Sequence, residues 1–325
     1  MSSTTSTTPD AAIYKWADKT DGEFKRQVSS FRDWIGSERF PAEKGRYHLY
    51  VSLACPWAHR TLIVRALKGL QDVIGVTVVD YLMGPNGWHF STPEETPGCS
   101  LDPYHNAKHV RDIYFKAEPT YSGRFTVPVL WDTKLHTIVN NESSEIIRML
   151  NKEFNQWSSH PALDLYPEEL APVIDEINEW IYNDINNGVY KSGFATKQEA
   201  YEKNVHILFN SLDRVEAHLE GKTWLIGEKL TEADVRLFTT IIRFDPVYHG
   251  HFKCNLKSIS ANYPNLLKHT RRLYQVAGVA DTVDMTHIKR HYYMSHLQIN
   301  PTQVVSAWNG PDLANPKVES NVFAQ

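Results

Sequence analysis

Short apolar stretches and amphipathic segments alternate along the first half of the chain. Residues 46–51 are rich in β-formers, and residues 73–79 are almost wholly apolar, as in a strand buried on both faces. Between them, Pro56 and Gly69 punctuate a helix over 57–70. This order predicts two parallel strands joined by a crossover helix.

Four further elements are predicted before residue 152. They are a helix over 104–116, strands over 127–132 and 137–139, and a helix over 143–151. The polar segment between Tyr81 and Pro103 contains four prolines, and its length suggests a functional loop. The predicted order is therefore β-α-β-α-β-β-α.

From residue 167 onwards the pattern is helical only. Apolar residues recur at spacings of three and four, which places one apolar stripe on each of two helices: Ile174, Ile177, Ile181 and Ile185, then Val205, Leu208, Leu212, Val215 and Leu219. Thr231 and Asp234 form a capping pattern, with Leu230 as a staple residue. Further helices are predicted over 264–276 and 281–294.

These patterns divide the chain into four parts. We predict an irregular N-terminal arm (1–45) packed against a domain, an α/β domain (46–155), an all-α domain (166–296) and an extended tail (297–325). The predicted linker contains the polar sequence Ser158-Ser159-His160-Pro161. The predicted fold class is thus an α/β domain followed by an all-α domain.

Composition narrows the functional classes. The 325 residues include 34 Lys+Arg and 38 Asp+Glu, so a net charge of −4 gives no basic surplus for nucleic acid or anionic lipid. No apolar run reaches the ~18 residues of a membrane span, and residues 1–10 lack a signal-peptide core. The 9 Trp, 16 Tyr and 13 Phe are compatible with an aromatic-lined pocket.

Cys55 is the main candidate for chemistry. It follows a predicted strand and immediately precedes Pro56, at a helix N-terminus where free N–H groups and the helix dipole favour an anion. We expect its pKa to be lowered, making it a nucleophile near neutral pH, with added positive potential from His59 and Arg60. The alternative is a small buried hydrophobe.

Cys55 has no second cysteine beside it that could form or reduce a disulfide with it. Ala58 stands where the second cysteine of a thioredoxin-like redox motif would stand, so an oxidised Cys55 must be reduced by another molecule's thiol. Cys99 and Cys254 match no catalytic context. Three sparse cysteines without zinc spacing favour a reducing compartment, and we predict a cytoplasmic location.

Two further motifs suggest a binding site for a peptide-like ligand. Val127-Pro128 leads a strand, which is tolerated when the proline is cis and the neighbouring backbone is offered to a ligand. Glu142-Ser143 opens a helix and would bind an amine and a carboxylate. An edge-strand proline and a plain N-cap are the structural alternatives.

Together these motifs resemble those of the glutathione transferase superfamily. Residues 47–60 resemble more specifically the glutathionyl-hydroquinone reductases, the Xi class related to the Omega class. Further family-like stretches support this over roughly residues 20–300: 86–90, 124–132, 140–145, 187–195, 243–248 and 288–293. Residues 304–311 lack the proline-containing continuation typical of bacterial members. The resemblance implies a thioredoxin-like N-terminal domain followed by an all-helical glutathione-transferase C-terminal domain.

The resemblance also implies a role for each site residue. It implies that Cys55 is the nucleophile, that Trp88 covers the glutathione and that Arg124 pairs with its carboxylate end. Val127, before cis-Pro128, would offer backbone hydrogen bonds, and Glu142 and Ser143 would bind the γ-glutamyl end. Tyr190 would flank the quinol together with Tyr293 or Tyr292, of which Tyr293 is favoured. Trp88, Arg124 and Tyr190 could instead serve packing or surface charge. We interpret Arg243-Phe244-Asp245 as a structural tie within one domain.

The implied function is glutathione-dependent reduction of glutathionyl-hydroquinones through a Cys55–glutathione mixed disulfide. Glutathione would be the co-substrate and no metal is needed. The implied partners are glutathione, aromatic quinol conjugates and a second copy of the chain in a homodimer, with no nucleic acid or membrane. The alternatives are an Omega-like thiol transferase or dehydroascorbate reductase, and a non-catalytic interaction module.

Overall fold

A computed structural model of the chain describes residues 17–18, 20–319 and 322–323. Its sheet has four strands, in the spatial order β2-β1-β3-β4: β1 (Tyr47–Val51), β2 (Gly75–Val78), β3 (Val129–Asp132) and β4 (Thr137–Asn140). Strands β1 and β2 are parallel, whereas β3 is antiparallel to both β1 and β4. The predicted parallel pair and the strand order along the chain are confirmed.

Three helices cover this sheet: α1 (Pro56–Leu67), α2 (Val110–Ala117) and α3 (Ser143–Lys152). Several predicted bounds differ from the observed ones: α1 ends at Leu67 rather than at residue 70, β3 starts at Val129 rather than at residue 127, and the starts of β2 and α2 differ as well. Strand β2 starts at Gly75 because the N–H groups of Val73 and Ile74 turn back to the carbonyl of Leu70. Helix α2 starts at Val110, not 104, because the Asp102 carboxylate accepts three backbone N–H groups that precede it, at Tyr104, His105 and Ala107.

The remaining elements of the described chain are helical. They are α4 (Ala171–Trp180), α5 (Gly188–Gly193), α6 (Gln198–His218), α7 (Glu232–Ile241), α8 (His249–His251), α9 (Ile259–Asn262), α10 (Pro264–Tyr274) and α11 (Met285–Ser295), with π-helical turns at Ile181–Asn186 and Phe244–Tyr248 and 3-10 turns at Asn155–Trp157, Glu168–Leu170 and Ala280–Thr282. The Asp234 carboxylate accepts the Thr231 N–H at 2.9 Å, which confirms the predicted cap of α7. Among the described residues, no helix combines the length and apolarity needed to cross a membrane.

The two halves of the fold pack along α1. This helix contacts α3 on the sheet side and α7 on the helical side. The arm contacts both halves: Phe24 stacks on the rings of Tyr190 and Phe194 in the helical half, with centroids 5.8 and 5.9 Å apart, and the backbone N–H of Asp33 donates to the carbonyl of Val139 in β4 at 3.0 Å. The predicted domain limits stay a prediction, and residues 1–16 and 19 of the predicted arm lie outside the described residues, as do 320–321 and 324–325 of the tail.

A fully buried arginine crosses between the halves. The guanidinium of Arg243 donates from Nε to the carbonyl of Ala54 at 2.9 Å and from Nη2 to that of Leu53 at 3.0 Å. Asp245 instead accepts the backbone N–H groups of Ile259 and Ser260. The prediction of a tie within one domain is therefore wrong for Arg243, which fixes the loop just before Cys55.

Several buried histidines make the stability depend on pH. Burial lowers the pKa of His251 to about 3 and that of His291 to about 4. In the unfolded chain both titrate near 6.5. The contribution of these neutral histidines to the free energy of unfolding is complete above about pH 6.5. It is lost as the pH falls toward 4, because only the unfolded chain takes up protons in that window. We expect the free energy of unfolding to fall by about 2 kcal/mol per buried histidine between pH 7.5 and pH 5.

Urea unfolding at the two pH values measures this loss. His206→Gln is the control, because the side chain of His206 is exposed, and it should leave the pH dependence as in the wild type. An unfolding free energy that stays constant from pH 7.5 to pH 5 would contradict the prediction.

Candidate active site

A cavity of about 750 Å³ is lined by residues of both halves and of the arm. It brings together nine of the ten site residues that the sequence predicts: Cys55, Trp88, Arg124, Val127, Pro128, Glu142, Ser143, Tyr190 and Tyr292. Tyr293 is the exception. The volume of the cavity lies within the ~300–1,000 Å³ that is common for small-molecule pockets.

Cys55 lies where the sequence predicts, directly before α1, whose first residue is Pro56. Its Sγ donates a hydrogen bond to the carbonyl of Val127 at 3.5 Å. This carbonyl belongs to the cis peptide bond between Val127 and Pro128. The side chain is partly exposed to the cavity. The thiol is thus accessible from the cavity, and it contacts the backbone of Val127 rather than its side chain.

The pKa of the Cys55 thiol is raised, because burial outweighs the opposing groups. Those groups are the backbone N–H of Ala58 and of Trp57 and the charges of Arg243 and Arg26, which all lower the pKa. The prediction of a lowered Cys55 pKa is therefore wrong. The helix N-terminus does act to lower the pKa, but the loss of solvent around the sulfur raises it by more. The same groups stand where they stabilise a developing thiolate.

The side chains one turn further along α1 do not add the expected charge. His59 is buried between the guanidinium of Arg243, 3.0 Å from Nδ1, and the hydroxyl of Thr282, 2.8 Å from Nε2. Burial lowers its pKa well below the usual value, so the ring is neutral. Arg60 lies over the Trp57 ring at 4.5 Å and donates to Ser143 at 3.4 Å. Its charge supports the start of α3 rather than the sulfur.

Glu142 keeps its charge at the cavity wall. Its carboxylate accepts the N–H and hydroxyl of Ser144 at 3.1 and 3.0 Å, and the hydroxyl of Ser29 at 3.0 Å. Burial acts to raise its pKa, but these hydrogen bonds and the Arg60 charge outweigh burial and the pKa is lowered. This partly buried carboxylate could bind the amino group of an amino acid, and the first N–H groups of α3 could bind its carboxylate.

Trp88 and Arg124 lie on the loops that border the cavity. Trp88 is 6% exposed and stacks on His291, with centroids 4.6 Å apart, so it both packs and lines the cavity. The backbone N–H of Arg124 donates to the Gln27 amide oxygen at 3.0 Å. The arm therefore holds the loop that carries Arg124.

Three tyrosine hydroxyls form a chain at the helical wall. Those of Tyr190 and Tyr292 are 2.6 Å apart, and that of Tyr248 is 3.0 Å from Tyr292. Tyr293 instead points its hydroxyl to the carbonyl of Pro246 at 3.3 Å. The preference for Tyr293 is thus wrong: adjacent helical residues diverge by about 100°, and the face of α11 that meets the cavity carries Tyr292.

The sequence analysis missed several residues that line the cavity, including Phe24, Arg26, Trp57, Phe194, Arg236, His291 and His296. Two signals could have found part of this set. Trp57 directly follows the Cys55-Pro56 pair, and Phe24 and Arg26 lie two residues apart in a part of the arm that carries aromatic residues among charged ones. The others come from distant helices and carry no local signal.

Comparisons with known proteins match both halves. The family described as "Glutathione S-transferase, N-terminal domain" matches residues 54–153, and "Glutathione S-transferase, C-terminal domain" matches residues 198–272. Among curated relatives, "Glutathione S-transferase omega-like 2" of Schizosaccharomyces pombe is 56% identical, covering 89% of this chain and 94% of its own. "Glutathionyl-hydroquinone reductase YqjG" of Escherichia coli is 51% identical, covering 93% and 94%.

Solved structures agree with these relatives. The glutathione-S-transferase Xi from Phanerochaete chrysosporium is 57% identical with a TM-score of 0.89, over 94% of this chain and 98% of that one. The glutathione-bound structure of YqjG has a TM-score of 0.85 at 51% identity, over 91% and 96%. The predicted fold class, a thioredoxin-like domain followed by an all-helical one, is confirmed. The chain therefore belongs to the glutathione transferase superfamily, in the group that contains the Xi-class transferases and the glutathionyl-hydroquinone reductases.

Proposed function

We propose that the protein reduces glutathionyl-hydroquinones to hydroquinones at the expense of free glutathione. The observation that carries this proposal is one cavity that holds both the accessible Cys55 thiol and the paired hydroxyls of Tyr190 and Tyr292. A thiol suits disulfide exchange with glutathione, and the hydroxyls suit the oxygens of a quinol ring. The curated relatives YqjG and PcpF are named glutathionyl-hydroquinone reductases.

The first step forms the mixed disulfide. Cys55 Sγ attacks the sulfur of the conjugate, so that an S–S bond forms and the bond from sulfur to the aromatic carbon breaks. The electron pair leaves with that carbon, which takes up one proton, while the thiol of Cys55 gives one up. Tyr190 and Tyr292 would hydrogen-bond the ring oxygens as negative charge spreads over the ring.

The second step regenerates the thiol. A free glutathione attacks the glutathionyl sulfur, oxidised glutathione leaves and Cys55 Sγ recovers a proton. Cys99 and Cys254 are both buried, with their sulfurs at the carbonyls of Val79 and Val189. Neither resolves the disulfide from there, and Ala58 supplies no sulfur, so the reductant comes from outside the chain.

Binding of the first glutathione would use the polar side of the cavity. We assign Glu142 to its amino group, Ser143 and the α3 N-terminus to the adjoining carboxylate, and Arg124 to the glycyl carboxylate. The backbone of Val127, before cis-Pro128, would pair with the cysteinyl unit, and Trp88 would cover it.

Turnover of glutathionyl-menadiol with free glutathione tests the proposal. The expected result is release of the free hydroquinone together with oxidised glutathione. If the protein reduces simple glutathione mixed disulfides or dehydroascorbate but releases no hydroquinone, the Omega-like alternative replaces this proposal. If it turns over none of these substrates, the enzyme proposal fails and a binding module takes its place.

The two neighbouring tyrosines of α11 give a matched pair of variants. Tyr292→Phe removes a hydroxyl that faces the cavity, and we expect hydroquinone release to slow about tenfold, as for the loss of one hydrogen bond to developing charge. Tyr293→Phe should leave the rate as in the wild type, because its hydroxyl faces Pro246. Reduction of a simple mixed disulfide should be unchanged in both. Equal slowing in the two variants would contradict the assignment.

We further propose that the protein is a cytoplasmic homodimer. All three cysteines are free thiols, as a reducing compartment favours. The tail exposes apolar side chains that a second copy would cover, with Val304 70% and Trp308 50% exposed. Light scattering should give twice the mass of the chain, and cell fractionation should place the protein with cytoplasmic markers. A monomeric mass or an organellar fraction would overturn the respective part.

A further inference from the structure

Arg26 of the arm lies at the rim of the cavity. Its guanidinium carbon stands 4.1 Å from the centroid of the Trp57 ring and 5.6 Å from that of Tyr190, and its Nε donates to the Asn187 side chain at 2.8 Å. The side chain is exposed and lines the cavity. Arg26 is therefore held in place by stacking and by one nitrogen.

The charge of Arg26 has no acidic partner among the described residues. Three other arm cations differ in this respect, because Lys25 pairs with Asp18 and Asp21, Arg32 with Glu145, and Arg39 with Asp33. Burial is the main cause of the raised pKa of Cys55 and of the lowered pKa of Arg124, and the charge of Arg26 acts to lower both. A fixed cation that lines the same cavity as the reactive sulfur and has no carboxylate partner in the described chain is suited to an anionic ligand.

The chemistry of the second step says which ligand would arrive there. A thiol attacks a disulfide in line with the sulfur that leaves. Cys55 attacks the conjugate's sulfur opposite the aromatic carbon, so the second glutathione must attack that sulfur from the place that the hydroquinone has left. Tyr190 and Tyr292 flank this place, and Arg26 borders it. A neutral hydroquinone does not need the charge, whereas glutathione carries carboxylates.

We propose that Arg26 binds a carboxylate of the second glutathione and so guides its thiol to the Cys55–glutathione disulfide, an inference that rests on the proposed function. In this step the incoming thiolate forms a bond to the glutathionyl sulfur, and the bond from that sulfur to Cys55 breaks. Oxidised glutathione leaves, and the sulfur of Cys55 takes up the proton that the incoming thiol released. Arg26 contributes binding and orientation and exchanges no proton.

The second step can be measured alone. Protein loaded at Cys55 with glutathione by oxidised glutathione is freed of excess reagent and mixed with one of three thiols: glutathione, 3-mercaptopropionate or uncharged 2-mercaptoethanol. Loss of the adduct is followed by mass spectrometry after acid quenching. Expressing each rate relative to that for 2-mercaptoethanol removes any general effect of the variant on the reactivity of the disulfide.

Arg26→Gln should lower the relative rates for glutathione and 3-mercaptopropionate about tenfold, the size expected for one charge-assisted hydrogen bond. Arg26→Lys should restore part of the loss, and added salt should lower the wild-type ratios. Arg39→Gln is the matched control, because Arg39 is also an exposed arm arginine stacked on a ring, at 4.8 Å from Phe40. It should leave the ratios unchanged.

Two results would overturn the inference: equal slowing with all three thiols, or unchanged ratios in Arg26→Gln. A third result would also overturn it: in a single turnover without free glutathione, Arg26→Gln releases hydroquinone more slowly by the same factor as it slows the second step. Arg26 would then bind the conjugate rather than the second glutathione. Failure of the proposed function is distinguishable. In that case the wild type releases no hydroquinone, while the ratios for the preloaded disulfide still report on Arg26.

Discussion

Replacing Cys55 by serine is expected to abolish hydroquinone release and the formation of any glutathione adduct. An alcohol cannot form a disulfide, and its far higher pKa leaves almost no alkoxide at neutral pH. The variant should fold, because the Cys55 side chain is only partly buried and its contact with the Val127 carbonyl suits a hydroxyl donor as well. Turnover of glutathionyl-menadiol and intact-protein mass spectrometry measure the two losses.

Cys99→Ser and Cys254→Ser serve as the matched controls. Both sulfurs are buried away from the cavity, and both variants should keep the adduct on Cys55 and the turnover per folded molecule. Adduct formation that survives in Cys55→Ser would move the reactive thiol elsewhere and contradict the assignment.

Replacing Arg243 by methionine is expected to cost the most stability, about 4 kcal/mol of the free energy of unfolding. The guanidinium is fully buried and donates to three carbonyls, those of Leu53, Ala54 and Thr239. Methionine fills much of the space but leaves these acceptors without a donor, at about 1–3 kcal/mol each. Turnover should fall too, because two of the carbonyls belong to the loop that ends at Cys55.

Arg243→Lys should recover little of this stability, since one ammonium group cannot reproduce the fork of a guanidinium. Arg214→Met is the control, because Arg214 is exposed and stacks on Trp180, and surface changes usually stay within about 0.5 kcal/mol. Urea unfolding compares the three. A loss below 1 kcal/mol in Arg243→Met would show that other donors satisfy the carbonyls.

Much of the fold followed from short stretches of sequence. Pro56 at the start of α1, the Thr231–Asp234 cap of α7 and the apolar stretches within β1 and β3 are local signals, and each is found in the tertiary structure. The bounds of β2 and α2 were less secure. There the turn at Leu70 and the acceptor Asp102 decided the start of the element, and propensity does not reveal such hydrogen bonds.

The candidate site was predictable where its chemistry depends on one motif. Cys55 before Pro56 and Glu142-Ser143 before α3 lie in the cavity because a helix N-terminus places them there. The choice between Tyr292 and Tyr293 was different, because it depends on which face of α11 packs inward. That choice needs the position of Tyr190 on another helix.

The sequence by itself therefore determined the order of the elements, the nucleophile and the family resemblance, since these rest on neighbours in the chain. Only the tertiary structure decided the sign of the Cys55 pKa shift, the reach of Arg243 into the other half and the place of Arg26 at the cavity. The physical reason is the same in each case. Desolvation and long-range charge depend on residues that are distant in the chain and become neighbours only on folding.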